Sequence, residues 1–370
     1  MEFSVKRSEL LEELSLTQGV VERRTTVPIL SNILFEVANN QVLITATDLE
    51  LCLRTACNVN SKKDGNGTIP AKKLFDLVRL LPDEEIRMKL LENHWVQIIS
   101  GRKTYKIVGM GPENFPKSPS SPTPVAKVPA GILSGLIAKT GFAISKEESR
   151  FTLNAGLLIL KPGFISLVAT DGHRLAIAEV EHAFAGMKEE LRILIPKKAL
   201  ANVQRLARET GEENSVAFAH DESHVFFAFG RRLLSCRMLA GQFPSYESVL
   251  PRDNKSVVVI ERRELSDAIH RVMQLSDAHS HTVKFDVSSG ALEISASSPE
   301  YGEGKETITK EYSGEPMTVA FNGEYLLDFL GAAADGPISI ELKDSQSAGQ
   351  LRPLTENGCR YRYVVMPLRV

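Results

Sequence analysis

The sequence is short of the residues from which metal centres and disulfide frameworks are built. Its 370 residues include four cysteines, Cys52, Cys57, Cys236 and Cys359. None forms a Cys-x-x-Cys pair and no histidine stands beside them at zinc-ligand spacing. They read as buried free thiols, and no metal or cofactor is expected. No glycine-rich phosphate loop of the G-x-x-x-x-G-K-[ST] type occurs, which excludes a P-loop nucleotide site. No apolar run approaches the roughly 18 residues that span a bilayer. The opening stretch Met1 to Arg7 is not followed by the apolar core of a signal peptide, and the expected location is the cytoplasm, with no membrane partner. Charge of one sign is also missing: the formal net charge is −2. A protein that grips nucleic acid by neutralising phosphates is usually basic, so tight binding by charge is excluded.

What is present is repetition. The stretch Leu167 to Leu175 runs apolar into Thr170-Asp171, turns at Gly172, and resumes after His173-Arg174 as the alternation Leu175 to Ala178. That is the pattern of a β-hairpin. A near copy lies upstream at Leu43 to Leu51. Three 17-residue segments, starting at Asn32, Ala155 and Thr282, align without a gap as strand, turn, strand. A second landmark, a strand end running into a helix, recurs around Ile69, Ile195 and Phe321. A third, Asn114-Phe115-Pro116, recurs as Gln242-Phe243-Pro244, the first before the Ser/Pro-rich linker Lys117 to Pro124.

The chain therefore reads as three units of about 125 residues, too long a period for common solenoids. The divisions fall at 1–126, 127–251 and 252–370. Each unit opens with a helix and carries a second one; Leu74, Leu77, Val78 and Leu81 mark the buried face of the first unit's second helix. Pro70 and Pro196 suit helix starts. The fold class is α+β, three copies of two helices on antiparallel sheets. Three like folds in one chain suit a symmetric arc or ring.

Basic residues recur on the helices: Lys72, Lys73 and Arg79 in the first unit, Lys197, Lys198, Arg205 and Arg208 in the second. Acidic residues concentrate elsewhere, as in Asp83-Glu84-Glu85 and Glu212-Glu213. A neutral chain with sorted charge can present one positive surface. The third unit's second helix breaks this pattern, with no basic residue from Tyr325 to Ala334. His220 and His224 have zinc-helix spacing but lie between strand-like runs, so they mark a hairpin turn. Asp171 and His173 have no serine or cysteine nucleophile motif beside them, which leaves a hydrolase reading without support.

Thr26 to Asn32, Ala169 to Leu175, Phe243 to Tyr246 and Val364 to Val370, in that order and spacing, resemble the bacterial DNA polymerase III β subunit, the sliding clamp family. The resemblance runs from Met1 to Val370. It implies a non-catalytic processivity factor: a head-to-tail homodimer whose six domains encircle duplex DNA without regard to sequence. Weak phosphate contacts suit a sliding device, which reconciles the charge of −2 with a DNA role. Processivity then arises from tethering, an effective-concentration effect.

The resemblance further implies a pocket between the second and third units for a short motif, roughly Gln-Leu-x-Leu-Phe. That motif would be carried by the polymerase III catalytic subunit, the clamp-loader complex, translesion polymerases and repair proteins. Carried over by motif, its walls are Arg150, Leu153, Thr170, Gly172, His173 and Arg174 on one side. Leu175, Pro244, Val249, Val364, Met366, Pro367, Leu368 and Arg369 complete it. Leu175, Pro244, Val249 and Met366 would form the apolar cup, and Met adapts to varied partners; His173 and Arg174 would offer polar contacts. Arg24 matches a DNA-contact position, and Lys72, Lys73, Arg79, Lys197, Lys198 and Arg205 are bore-facing candidates. Ser248, Leu368 and Thr152 depart from residues common among relatives and bear on partner preference. A peptide-binding scaffold without ring closure is the alternative.

Overall fold

The computed structural model describes residues 1–22, 26–147, 149–184, 186–309, 312 and 314–369. The three hairpins of the repeat form as the alternation demands. Asn32–Ala38 pairs with Gln41–Thr47, Ala155–Lys161 with Phe164–Thr170, and Thr282–Ser288 with Ala291–Ser298. The first turn has φ of 52° at Asn39 and 58° at Asn40. Two successive positive φ values define the tight turn that matches strand twist, and Asn tolerates them better than most residues. The other two turns place Gly163 and Gly290 at positive φ, where a Cβ would strain the backbone.

Each repeat carries two helices. They are α1 (Arg7–Thr17), α2 (Ala71–Leu80), α3 (Ala130–Thr140), α4 (Lys197–Thr210), α5 (Arg262–Met273) and α6 (Gly323–Ala332). On α2, Leu74 and Val78 are buried, and so is Leu81 just beyond it, while Leu77 is only half-buried. Pro70 is the capping residue of α2 and lies outside its first turn. Asn322 caps α6, its Oδ1 accepting from the amides of Glu324 at 2.9 Å and Tyr325 at 3.3 Å. Such a cap contributes about 1 kcal/mol. The His220/His224 pair sits, as read, at a hairpin turn between the strands Ser215–His220 and His224–Phe229.

The compactness of the chain follows its sheets. One unit is Met1–Ser134 with Ala201–Met238; the other is Gly135–Leu200 with Leu239–Val370. In the first unit an eight-stranded sheet joins two repeats where Leu51–Asn58 pairs with Arg232–Arg237 over Leu51↔Cys236 to Arg54↔Leu233. A five-stranded sheet ends on the strand Lys103–Val108. In the second unit another eight-stranded sheet joins two repeats where Arg174–Glu181 pairs with Cys359–Val365, from Arg174↔Val365 to Val180↔Cys359. A four-stranded sheet there ends on Gly302–Thr309. Helices α1 and α2 pack together in the first unit, α5 and α6 in the second.

The first unit's junction contains an ionic network. Glu13 on α1 is fully buried. It accepts from Arg232 Nε at 3.0 Å, Arg232 Nη2 at 2.8 Å, Arg231 Nη2 at 2.7 Å and the Thr55 hydroxyl. Arg232 also pairs with Glu12 and, at 3.6 Å, with Glu209. Burial alone would raise the Glu13 carboxyl; hydrogen bonds from Arg232 and Thr55 outweigh it and hold the group below the usual carboxylate range. Cys52, Cys57 and Cys236 are buried free thiols, and burial pushes Cys57 and Cys236 up to about 12.

Candidate functional site

The hairpin at Thr170–Arg174 is fixed by its own side chains. Asp171 Oδ1 accepts from the amides of His173 at 3.0 Å and Arg174 at 3.1 Å. Thr170 Oγ1 donates to the Arg174 carbonyl at 2.6 Å and accepts from the Gly172 amide at 3.1 Å. Such side-chain turns are what Asp and Thr supply at chain reversals. Gly172 has φ of 91°, and a Cβ there would lie 2.6 Å from Arg150 Nη1. Both facts favour glycine. Asp171 also accepts from Arg174 Nε at 3.0 Å. Its carboxylate is consumed by the turn, and it is not placed as a base for His173.

Beside this hairpin lies a hollow of about 160 Å³. The structure brings Leu153, Thr170, Gly172, His173, Arg174, Leu175, Pro244, Val249, Val364 and Met366 into its lining. The floor belongs to the buried apolar cluster of Leu175, Val364, Val168 and Ile177, against which Phe243 and Tyr246 pack. On the rim Val249 is 54% and Met366 47% exposed, apolar surface left facing water. Strand pairing sets the far wall: Leu175 opposes Val364, and the Met366 amide donates to the His173 carbonyl at 2.9 Å.

Four expected wall residues do not line the hollow. Arg150 lies behind the hairpin, bonded to the Asp171 carbonyl at 2.7 Å and to Glu147 at 2.9 Å. Leu368 is bridged to another strand, its amide donating to the Ala320 carbonyl at 2.7 Å. Pro367 and Arg369 flank it and are likewise outside the lining. Two lining residues were not anticipated, Ser245 and Tyr246. The signal for them was the Phe-Pro-x-Tyr segment itself, an aromatic just past a proline. Tyr246 closes onto Phe243 with ring centroids 6.5 Å apart, and burial with the nearby Glu247 pushes its hydroxyl up to about 12.

Arg174 touches the hollow but is not a free polar contact. Its side chain is 8% exposed. It donates from Nη1 to Asp328 Oδ2 at 2.6 Å and from Nη2 to the Phe142 carbonyl at 3.0 Å, besides Asp171. Its guanidinium lies 4.2 Å from the Tyr325 ring centroid and 5.3 Å from that of Phe142. Burial opposes its charge, but Tyr363, Asp328 and Asp171 outweigh that and hold it firmly protonated.

Of the basic candidates, Arg24 lies outside the described residues. Lys72, Lys73 and Arg79 line one shallow hollow on α2. Lys72 pairs with Asp76 at 2.9 Å, and Arg79 stacks over Phe75 at 5.7 Å. Lys197 is drawn into its own repeat: Nζ donates to the Ile144 carbonyl at 3.1 Å, and burial with Lys146 and Arg174 nearby lowers its pKa. Lys198 is exposed. Arg205 donates to Ser15 Oγ at 3.0 Å and pairs with Glu209 at 3.4 Å. Among the described residues no group of three or more His, Cys, Asp or Glu could hold a metal ion, and no helix is long and apolar enough to cross a membrane.

A three-repeat α+β chain with an apolar hollow at a strand junction defines a class, the repeat proteins that can seat a docking peptide. Comparison with known proteins narrows this. Sequence models of the DNA polymerase III beta subunit match in series: its N-terminal domain at residues 1–119, its central domain at 127–245 and its C-terminal domain at 247–369. The beta sliding clamp of Pseudomonas aeruginosa is 32% identical over 373 residues, and that of Caulobacter vibrioides 33% over 378, each alignment covering 100% of both chains. A crystal structure of the Pseudomonas aeruginosa sliding clamp bound to griselimycin has a TM-score of 0.94 at 32% identity, again covering 100% of both chains. The Caulobacter crescentus clamp gives 0.91 at 32%, with the same coverage. The chain belongs to the DNA polymerase III beta subunit family, the beta sliding clamps. It is a processivity factor, a non-catalytic subunit built of three clamp domains.

Proposed function

We propose that two copies of this chain close head to tail into a ring around duplex DNA, and that the hollow beside Thr170–Arg174 captures the docking peptides of polymerases, clamp loader and repair proteins. The observation that carries the second part is the hollow's chemistry. An apolar floor at Leu175 and Val364, with exposed Val249 and Met366 on the rim, suits the Leu and Phe anchors of a Gln-Leu-x-Leu-Phe segment. His173, exposed on the turn, is placed for a polar contact.

Two free sheet edges support the ring. Lys103–Val108 ends the five-stranded sheet and exposes Tyr105 and Val108; Gly302–Thr309 ends the four-stranded sheet. An exposed edge strand with apolar side chains invites pairing with another chain. Lys103 and Lys106 on the first edge are opposite in charge to Glu303 on the second, where Glu306 is already paired with Arg271. We assign the domains to 1–126, 127–251 and 252–370, and DNA-facing roles to Arg24, Lys72, Lys73, Arg79, Lys198 and Arg205, with Lys197 the weakest because it is bonded within its repeat. The working location is the cytoplasm.

Negative-stain class averages at micromolar concentration test the ring: six-lobed closed particles with an open centre are expected. Arcs or particles without a hole would overturn ring closure and favour a scaffold. Peptide titration tests the hollow, with weaker binding expected for Met366→Ala and His173→Ala.

A further inference from the structure

Arg174 raises a question that the peptide reading leaves open. It sits between two lining residues, His173 and Leu175, yet its guanidinium is spent on other partners. Every nitrogen has an acceptor: Nε has Asp171 Oδ2 at 3.0 Å, Nη1 has Asp328 Oδ2 at 2.6 Å, and Nη2 has the Phe142 carbonyl at 3.0 Å. The rings of Tyr325 and Phe142 lie against it, with centroids at 4.2 and 5.3 Å. Tyr363, fully buried and opposite Ala176 on the neighbouring strand, packs against Phe142 at 5.8 Å and stacks on Phe329 of α6 at 5.2 Å. Its hydroxyl donates to the Tyr325 carbonyl at 2.8 Å.

Asp171 also pairs with this arginine, but it belongs to the same turn, where its other oxygen holds two amides, and so does not tie the turn to another element. Asp328 is the one carboxylate from α6 that reaches the guanidinium. We infer that Asp328 is a positioning residue for peptide capture: through Arg174 it anchors the His173 turn and the Leu175 floor to α6. Without the Asp328 charge, an arginine with 8% of its side chain exposed keeps Asp171 and the Phe142 carbonyl but loses the carboxylate that ties it to α6. The turn it belongs to supplies His173 and the edge of the floor, so the hollow loosens with it. This rests on the hollow being the peptide site.

The test is fluorescence-anisotropy titration of the full chain with a labelled Gln-Leu-Ala-Leu-Phe peptide. Asp328→Asn is expected to weaken binding about tenfold, and Asp328→Glu to restore it to within about threefold, because the longer carboxylate still reaches a guanidinium. Ile294→Ala, a core truncation in the four-stranded sheet away from the hollow, should lower the thermal midpoint and leave affinity unchanged. The inference is overturned if Asp328→Asn binds as the wild type does, or if Ile294→Ala weakens binding as much. A wild-type chain that ignores the peptide overturns the reading of the hollow, and that outcome is seen before any variant is made.

Discussion

The hairpin at Thr47–Leu51 and the hairpin at Thr170–Arg174 are made by the same hydrogen bonds. Asp48 Oδ1 accepts from the amides of Glu50 and Leu51, as Asp171 does from His173 and Arg174. Thr47 and Thr170 bridge their turns alike. Beyond each turn, the next repeat's strand is tied back in the same way: the Arg237 amide donates to the Glu50 carbonyl at 2.8 Å, and the Met366 amide to that of His173 at 2.9 Å. Each hairpin even borders a hollow of similar size, about 190 Å³ beside the first and 160 Å³ beside the second. The linings differ in kind. The first has Cys52 where the second has Leu175, Ser235 where it has Val364, and Glu50 where it has His173. A shared backbone plan thus makes a cradle at both junctions, and side chains alone decide which cradle has an apolar floor.

The largest expected effect sharpens the contrast between the two junctions. Arg232→Ala in the first leaves Glu13 buried without its main partner and should cost about 3–5 kcal/mol in denaturant unfolding. The double variant Glu13→Gln/Arg232→Met should recover much of that. The acid dependence has a definite sign. The Glu13 carboxyl is held low, so its contribution is complete above the unfolded value of about 4.3 and is lost as pH falls through the lower folded value. The gap between wild type and Arg232→Ala should therefore narrow below about pH 4 in the same unfolding measurement.

Next in size is Leu175→Ser. Removing the apolar floor should weaken peptide binding by roughly 2 kcal/mol, about thirtyfold, while Cys52→Ser at the matching position leaves it unchanged in the same titration. Smaller again is the turn glycine. Gly172→Ala meets both a positive φ and Arg150, and should lose about 1–2 kcal/mol of stability by thermal melting. Its counterpart Leu49 already holds φ of 82°, so Leu49→Gly should relieve strain and at worst be neutral. The smallest effect separates the two hollows by function: Glu50→Ala should not move peptide affinity, whereas His173→Ala should weaken it about three- to tenfold. Equal losses from both would mean that the hollows are not distinguished as described.

The three-repeat plan was legible because tight turns leave strong marks. Asn39-Asn40, Pro162-Gly163 and the Thr-Asp turns stand at fixed distances between alternating segments, and helices such as α2 show their apolar stripe. The floor and rim of the hollow were legible through motif resemblance. What could not be read was how charge is spent. Glu12-Glu13 looks like a solvated acidic run, though Leu10, Glu13, Leu14 and Thr17 occupy one helical stripe and all four are buried. Arg174 looks like an exposed ligand beside His173 because nothing in its own segment announces Asp328, which lies 154 residues away. That Leu368 and Arg150 fall outside the hollow's lining was hidden for the same reason: their neighbours in space, Ala320 and Asp171, come from other elements.

The two junction ladders also differ in length. Arg174–Val180 is zipped to Cys359–Val365 over seven residue pairs, whereas Leu51–Arg54 meets Leu233–Cys236 over four. Backbone hydrogen bonds in register resist twisting and sliding together, so the longer ladder is the stiffer hinge. At the shorter ladder Glu13 and Arg232 add a buried ion pair between α1 and the strand Arg232–Arg237. The first junction thus joins a four-pair ladder to a buried carboxylate, and the second a seven-pair ladder to a buried arginine.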